Sequence, residues 1–280
     1  MRQLLVPDLA LGDGAGDDAV PRVGSTIALP RDVEQRLRRV LRMRDGARLT
    51  VSDGAGRRAE TELLPDGLCL LSLAPVEPRR RPQLWLAFAP LKGDRGDWLV
   101  EKAVEIGVDI LVPLRCDHAV AKLDPGRADR QLDRWQALAD AALEQCGRPW
   151  RARVAAPIRP AALVEAPATA GVPCTWMVAD ERGGEALERA AIAGVSAVTT
   201  APGVPPSAAR DRCSQGQTDE IAVGVVIGPE GGLSAEERSS LLAQGVVPIT
   251  LGRDVLRAET AALVALARLA AWRATLHVSS

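Results

Sequence analysis

The chain has 280 residues, 47% of them hydrophobic and 25% charged, with a net charge of -1 and five cysteines that form no CxxC pair. That length can bury a substantial core and suggests two domains, and the composition is that of an ordinary soluble globular protein. The scattered cysteines indicate neither a zinc site nor a disulfide framework, so no metal is expected and a reduced, cytoplasmic setting follows.

At the amino terminus the apolar run MRQLLV is too short for a signal peptide, and the acidic stretch that follows to Asp18 has the wrong character. Between Arg31 and Arg58, nine arginines (Arg31, Arg36, Arg38, Arg39, Arg42, Arg44, Arg48, Arg57 and Arg58) stand against Asp32, Glu34, Asp45 and Asp53. The near-zero net charge alone speaks against nucleic acid, yet this clustering on a small domain is an electrostatic footprint for a phosphate backbone. A solvated helix face in an arginine-rich chain is the other reading. A helix is expected from about Asp32 to Leu41. Arg48 to Ser52, Arg57 to Leu64 and Leu68 to Leu73 alternate or run apolar between Gly and Asp turns, as short antiparallel strands do. At Pro75 to Pro82, PVEPRRRP, prolines and charges replace the alternation. A domain boundary is placed there, between a small β-rich barrel module over 1–77 and a second domain over 82–280.

After the boundary, strands and helices alternate. Leu84 to Ala89 reads as a strand, Asp97 to Ile106 as a helix with Lys102 on its polar side, and Ile110 to Leu114 as a strand. Arg127 to Cys146 is a long amphipathic helix; a strand near Thr175 to Val178 and a helix near Glu185 to Ala193 follow. This order indicates an α/β domain. The Pro, Gly, Ser and Thr rich segment between Val195 and Asp219 reads as a loop or insertion. The apolar helix near Ala261 to Trp272 is broken by Arg268 and is too short to span a bilayer, so no membrane role is expected.

Two glycine loops near the carboxyl terminus concentrate the chemistry. Val223 to Ile227 is a buried strand, Gly228-Pro229-Glu230-Gly231-Gly232 a tight turn, and Ser234 with Glu237 a capping box. Val246 to Thr250 is a second strand, after which Leu251-Gly252-Arg253-Asp254 turns into a helix from about Arg257. Two such units in succession suggest adjacent parallel strands joined by a crossover helix, with ligands expected at the strands' carboxyl ends. Glycine loops before helices usually hold phosphate. Here Glu230 at the apex, Glu236 and Glu237 in the first helical turn and the missing Walker lysine argue against it. Arg257 and Glu259 open a nearly apolar helix and need partners, either each other or Asp254. One acidic loop and one carrying an arginine together point to a small-molecule site.

GPEGG followed by a helix cap, then LG-x-x-[VIL]-LR-x-ETA, resembles the carboxyl-terminal signature of the SPOUT methyltransferases. Within them it is most similar to the family that methylates N3 of a uridine in small-subunit ribosomal RNA. Lys92-Gly93-Asp94, Glu101 to Val108, Val112-Pro113-Leu114, Arg134-Trp135 and Glu144-Gln145-Cys146-Gly147-Arg148 extend the resemblance over most of the chain. It is weakest before Val40 and between Ala190 and Glu220. The family often opens with aromatic and histidine residues where this chain has MRQLLV.

The resemblance implies an α/β SPOUT domain with a parallel sheet and a deep trefoil knot, an exception to unknotted topology, preceded by a PUA-like RNA-binding barrel. It implies a homodimer acting on 16S ribosomal RNA of the small ribosomal subunit with S-adenosylmethionine as methyl donor. Carried over by motif, Gly228, Pro229, Glu230, Gly232, Leu251, Gly252, Leu256 and Arg257 bind the cofactor, with Asp180 or Glu181 on a third loop. Arg36, Arg39, Arg42, Lys92 and Arg148 are the RNA candidates; Glu144 is expected in an ion pair and Trp135 in the core. His118 is expected as a structural group or an RNA contact.

Methyl transfer from a sulfonium to a ring nitrogen needs neither a metal nor a protein nucleophile. It needs alignment, which lowers barriers by about 7–11 kcal/mol in favourable intramolecular models, and a route for the N3 proton. Loss of that proton moves negative charge onto the uracil oxygens, which Arg257 would stabilise. Glu259 and Glu230 are the available bases; holding Arg257 or capping the helix is the alternative role for Glu259, and Thr260 has a backbone or a cofactor contact open to it. A SPOUT-like RNA binder or assembly factor without catalysis is the first rival, opposed by the intact GPEGG and LRAETA segments. A nucleotide-binding oxidoreductase or kinase is the second, opposed by the missing G-x-G-x-x-G and Walker patterns.

Overall fold

The computed structural model describes residues 3–7, 22–121, 125–165, 172–199 and 221–276. They fall in two compact units, one formed by Met1–Arg79 with Asp140–Arg151 and the other by Arg80–Ala139 with Ala152–Ser280.

The first unit contains β1 (Gln3–Leu5), β2 (Thr26–Ile27), α1 (Arg31–Gln35) continuing into a π-helical turn (Arg36–Val40), β3 (Arg48–Ser52), β4 (Arg58–Leu64) and β5 (Gly67–Leu73). The sheet order is β1-β3-β4-β5-β2, antiparallel except that β1 runs parallel to β3. On β4, Ala59, Thr61 and Leu63 point inward in strict alternation, and they pack with Leu37, Leu49, Val51, Leu68 and Leu70. Thr61 is tolerated there because its hydroxyl donates to the Leu49 carbonyl at 3.0 Å. Glu144 joins this unit by accepting from the Leu5 amide (3.0 Å) and from both terminal nitrogens of Arg36 (2.8 and 2.6 Å). Trp150 Nε1 donates to the Glu77 carbonyl at 2.7 Å.

The second unit is built from β6 (Gln83–Phe88), α2 (Arg95–Ile106), β7 (Ile110–Pro113), α3 (Pro125–Cys146), β8 (Arg153–Val154), β9 (Cys174–Ala179), β10 (Glu185–Ala186), α4 (Leu187–Thr199), β11 (Ala222–Ile227), α5 (Ala235–Ala243), β12 (Val247–Thr250) and α6 (Ala258–Leu276). The last residues of α3 belong to the first unit. Of the segment expected as a loop between Val195 and Asp219, residues 195–199 end α4 and the rest lies outside the described residues.

The seven strands are ordered β10-β12-β9-β11-β6-β7-β8 and every pair is parallel. Central β6 and β11 are buried at every position, as strands covered on both faces must be. One expectation fails. The strands ending at Ile227 and Thr250 are not adjacent, because β9 lies between them, with Val178 opposite Val226 on one side and Pro248 on the other. A crossover helix joins parallel strands without requiring them to be neighbours, and β9, with Trp176, Met177 and Val178 buried, is apolar enough for an interior place.

Helix α6 packs on α2, α4, β6 and β11. Near its end Arg273 is buried beside Asp109, with 4% of each side chain exposed and 3.3 Å between Nη1 and Oδ2. Arg273 also donates to the carbonyls of Pro82 (3.4 Å) and Gly107 (3.3 Å), while Asp109 accepts from the Leu84 amide at 2.9 Å. The pair therefore fastens α6 to the start of β6 and to the α2–β7 turn. No described helix is long and apolar enough to cross a membrane. Because Arg273→Ala strands a buried carboxylate, it is expected to lower unfolding free energy by about 3–5 kcal/mol. Urea denaturation followed by circular dichroism measures this, and a loss below about 1 kcal/mol would show the pair to be solvated.

Candidate active site

The Gly228–Gly232 loop leaves the carboxyl end of β11 and is fixed mainly by the cap of α5 on its far side. Ser234 Oγ accepts from the Glu237 amide (3.2 Å), and Glu237 Oε2 accepts from the Ser234 amide (2.9 Å), the reciprocal capping box expected from the sequence. Glu237 is buried, and its other oxygen accepts from the Asp117 amide at 2.9 Å, while Ser234 Oγ donates to Asp117 Oδ2 at 3.1 Å. His118 Nδ1 lies 3.2 Å from the Gly232 carbonyl, a contact that requires the proton on Nδ1. The turn closes through the Gly232 amide onto the Pro229 carbonyl at 2.9 Å, with Gly232 at φ +73°, a left-handed conformation that suits glycine.

The second loop leaves β12. Thr250 Oγ1 donates to the Gly252 carbonyl at 2.9 Å, and Arg268 Nη1 donates to the Leu251 carbonyl at 3.3 Å. Arg268 is itself held by Glu188 through two 2.6 Å bonds, which raise the arginine pKa and lower that of the carboxyl. Gly252 and Arg257 are exposed and Leu256 half-buried. On the β9 loop, Asp180 is engaged by Arg238 at 2.6 Å and by the Arg182 amide at 3.0 Å, so its carboxylate is spent on loop structure; Glu181 is exposed.

Arg257 and Glu259 do not pair with each other or with Asp254. The Arg257 side chain has no hydrogen-bond or ion-pair partner among the described residues, and Glu259 is bound from elsewhere. Arg95, at the start of α2, places Nη2 2.8 Å from Glu230 Oε1 and Nη1 3.4 Å from Glu259 Oε1. It ties the first glycine loop to the first turn of α6, which the second loop leads into, and the sequence reading missed it. The available signal was positional: Arg95 follows Lys92-Gly93-Asp94 at the carboxyl end of β6, which pairs in parallel with β11. Glu259 is 8% exposed, and its Oε2 is enclosed with no hydrogen-bond partner.

The RNA candidates stand apart by unit. Lys92 is exposed in the second unit. Arg36, Arg39, Arg42 and Arg148 are in the first, where the Arg36 guanidinium is committed to Glu144, whose hydrogen bond raises its pKa. Arg39 and Arg42 are exposed, without side-chain partners among the described residues. Glu144 makes the expected ion pair. Trp135 is core, 2% exposed, its ring centroid 5.4 Å from that of Phe88 and its Nε1 donating to Asp97 at 3.0 Å. A cavity of about 370 Å³ in the first unit is lined by Thr50, Arg58, Glu60 and Gln145 among others, and by no residue of either glycine loop.

Residues 78–270 match the RNA methyltransferase domain family. The ribosomal RNA small subunit methyltransferase E of Mycobacterium tuberculosis is 30% identical over 257 residues, covering 89% of this chain and 87% of that protein. This chain belongs to the ribosomal RNA small subunit methyltransferase E family. A methyltransferase of Legionella pneumophila, solved with bound cofactor SAM, is 25% identical, with 96% of each chain covered and a TM-score of 0.71. The methyltransferase E of Neisseria gonorrhoeae, solved bound to S-adenosyl methionine, shares the fold at 23% identity and a TM-score of 0.69, again over 96% of each chain.

In this methyltransferase E family member, Cys116 lies beside the capped loop, but burial, with help from Glu237 and Asp117, pushes its thiol up to about 12. It stays protonated at neutral pH and is no nucleophile. Native alkylation with iodoacetamide at pH 8 is expected to label exposed Cys146 well before Cys116, with both labelled after denaturation. Peptide mapping reads the order, and equal native rates would contradict the burial of Cys116.

Proposed function

We propose that this chain methylates N3 of one uridine in 16S ribosomal RNA of the small ribosomal subunit. Membership in the family carries the coarser statement, that it is an S-adenosylmethionine-dependent ribosomal RNA methyltransferase. The observation that carries the finer reading is that Arg95 joins the GPEGG loop to the first turn of α6, with an unpartnered cation at Arg257 and a carboxylate at Glu259 that keeps one free oxygen.

The residues fit the cofactor. A Cβ at Gly232 or Gly252 would meet no heavy atom within 4 Å, so the backbone is open to close approach at both positions. Oε2 of Glu259 is an enclosed carboxylate oxygen without a donor, which is costly, and the N3–H of a bound uracil would relieve it. When bound, S-adenosylmethionine supplies an electrophilic methyl group. Gly228, Pro229, Gly232, Leu251, Gly252 and Leu256 hold it through backbone and apolar contacts, and Glu230 and Arg257 complete the set. Arg257 faces the negative charge that gathers on the uracil oxygens as N3 loses its proton, and Glu259 accepts that proton.

In the same reading, residues 82–280, apart from Asp140–Arg151, which pack with the first unit, form a SPOUT domain whose carboxyl-terminal segment makes a deep trefoil knot and whose surface forms a homodimer. Residues 1–77 form a PUA-like barrel that brings Arg39 and Arg42 to RNA, together with Arg148 and Lys92; Arg36 acts there as half of an ion pair. The protein works in the cytoplasm, where its ribosomal substrate is.

Mass spectrometry of 16S ribosomal RNA from cells with and without this protein is expected to show one 3-methyluridine that disappears with the gene, and an unchanged nucleoside profile would end the proposal. Arg257→Ala is expected to slow single-turnover methylation of small subunits by about 10²–10³-fold, whereas unchanged turnover would remove Arg257 from the chemistry. The double reversal Arg39→Glu with Arg42→Glu is expected to weaken binding to small subunits and to flatten its salt dependence by roughly 0.7–0.9 per lost phosphate contact. An unaltered slope would leave these arginines as a solvated face.

A further inference from the structure

We infer that Arg95 is a positioning residue for methyl transfer, acting through Glu259 and Glu230; the inference rests on the reading of Glu259 as the proton acceptor. Three features carry it. The fork of Arg95 spans carboxylates from two different elements, 2.8 Å to Glu230 of the GPEGG loop and 3.4 Å to Glu259 in the first turn of α6, and its Nε donates to the Lys92 carbonyl at 3.3 Å, which fixes the fork on the segment that precedes α2. Glu259 is the more buried of the two carboxylates, with 11% of its side chain exposed against 29% for Glu230. Arg95 occupies only Oε1 of Glu259, so Oε2 is the atom left to take a proton.

A planar guanidinium is suited to this work because it places two donors at fixed separation, whereas an ammonium is a point charge. Holding Oε1 sets the rotation of the carboxylate and therefore the direction in which Oε2 faces. Holding Glu230 at the same time keeps the GPEGG loop in register with the start of α6. Arg95 itself need touch neither the methyl group nor the uracil.

The test is single-turnover methylation of small subunits from cells lacking the protein, with labelled S-adenosylmethionine and the full-length chain. Arg95→Gln is expected to be at least about tenfold slower, a fraction of a general-base contribution, and Arg95→Lys intermediate. The double variant Arg95→Gln with Glu259→Gln should match Glu259→Gln alone within about twofold, since the two residues act as one unit. Slow Glu259→Gln beside Arg95→Gln at wild-type speed overturns the inference alone, as do losses that multiply in the double variant. Glu259→Gln at wild-type speed overturns the reading of Glu259 on which it rests. If thermal melting shows Arg95→Gln unfolded, Arg95→Lys decides: slower by about threefold or more supports the positioning role, and wild-type speed contradicts it.

Discussion

Parallel pairing obliges every strand of the large sheet to leave by the same edge. Because β12, β9, β11 and β6 are consecutive in that sheet, the loops that follow them open side by side. These segments carry Arg253 to Arg257, Asp180, the GPEGG turn and, at the start of α2, Arg95, residues far apart in the chain that strand order brings to one edge of the sheet, where Arg95 reaches Glu230. Ligands in open parallel sheets bind at this edge for the same reason. Everything assigned to catalysis or cofactor here depends on that constraint.

The two arginine–carboxylate sites of the second unit show how differently the same chemistry is used. Arg273 and Asp109 are fully enclosed and surrounded by carbonyl and amide partners, so their charges are spent on holding α6 in place. At Arg95 the arithmetic does not close. Two carboxylates share one guanidinium that is 40% exposed, one carboxylate oxygen has no donor, and Arg257 stands nearby in sequence without a partner. Structural ion pairs are completed from within the protein, whereas sites leave valences for what they bind.

Much of this could be read from the sequence. The capping box from Ser234 to Glu237 was visible because its signature is local, and so were the strands, whose apolar runs lie between turn residues. The GPEGG and LRAETA motifs marked two loops by their glycines and by charges opening an apolar helix. Strand order was not legible, because periodicity says that a segment is a strand and nothing about its neighbour; hence β9 was not placed between β11 and β12. Partners across the fold were equally hidden. Glu259 was expected to meet Arg257 or Asp254, the nearest opposite charges in the chain, whereas its actual partner Arg95 lies 164 residues away. For the same reason nothing local announced that Asp140–Arg151 packs with the β-rich unit, since the bonds of Glu144 to Leu5 and Arg36 span more than a hundred residues.

At the centre of the proposed function, the loops after β11 and β12 form one S-adenosylmethionine site. Hydrogen–deuterium exchange of the full-length chain, with and without saturating S-adenosylmethionine, tests this most directly. Protection is expected to concentrate in residues 228–233 and 251–257, with the segment around Arg95 following. Protection confined to one loop, or placed elsewhere in the chain while S-adenosylmethionine is bound, would contradict it.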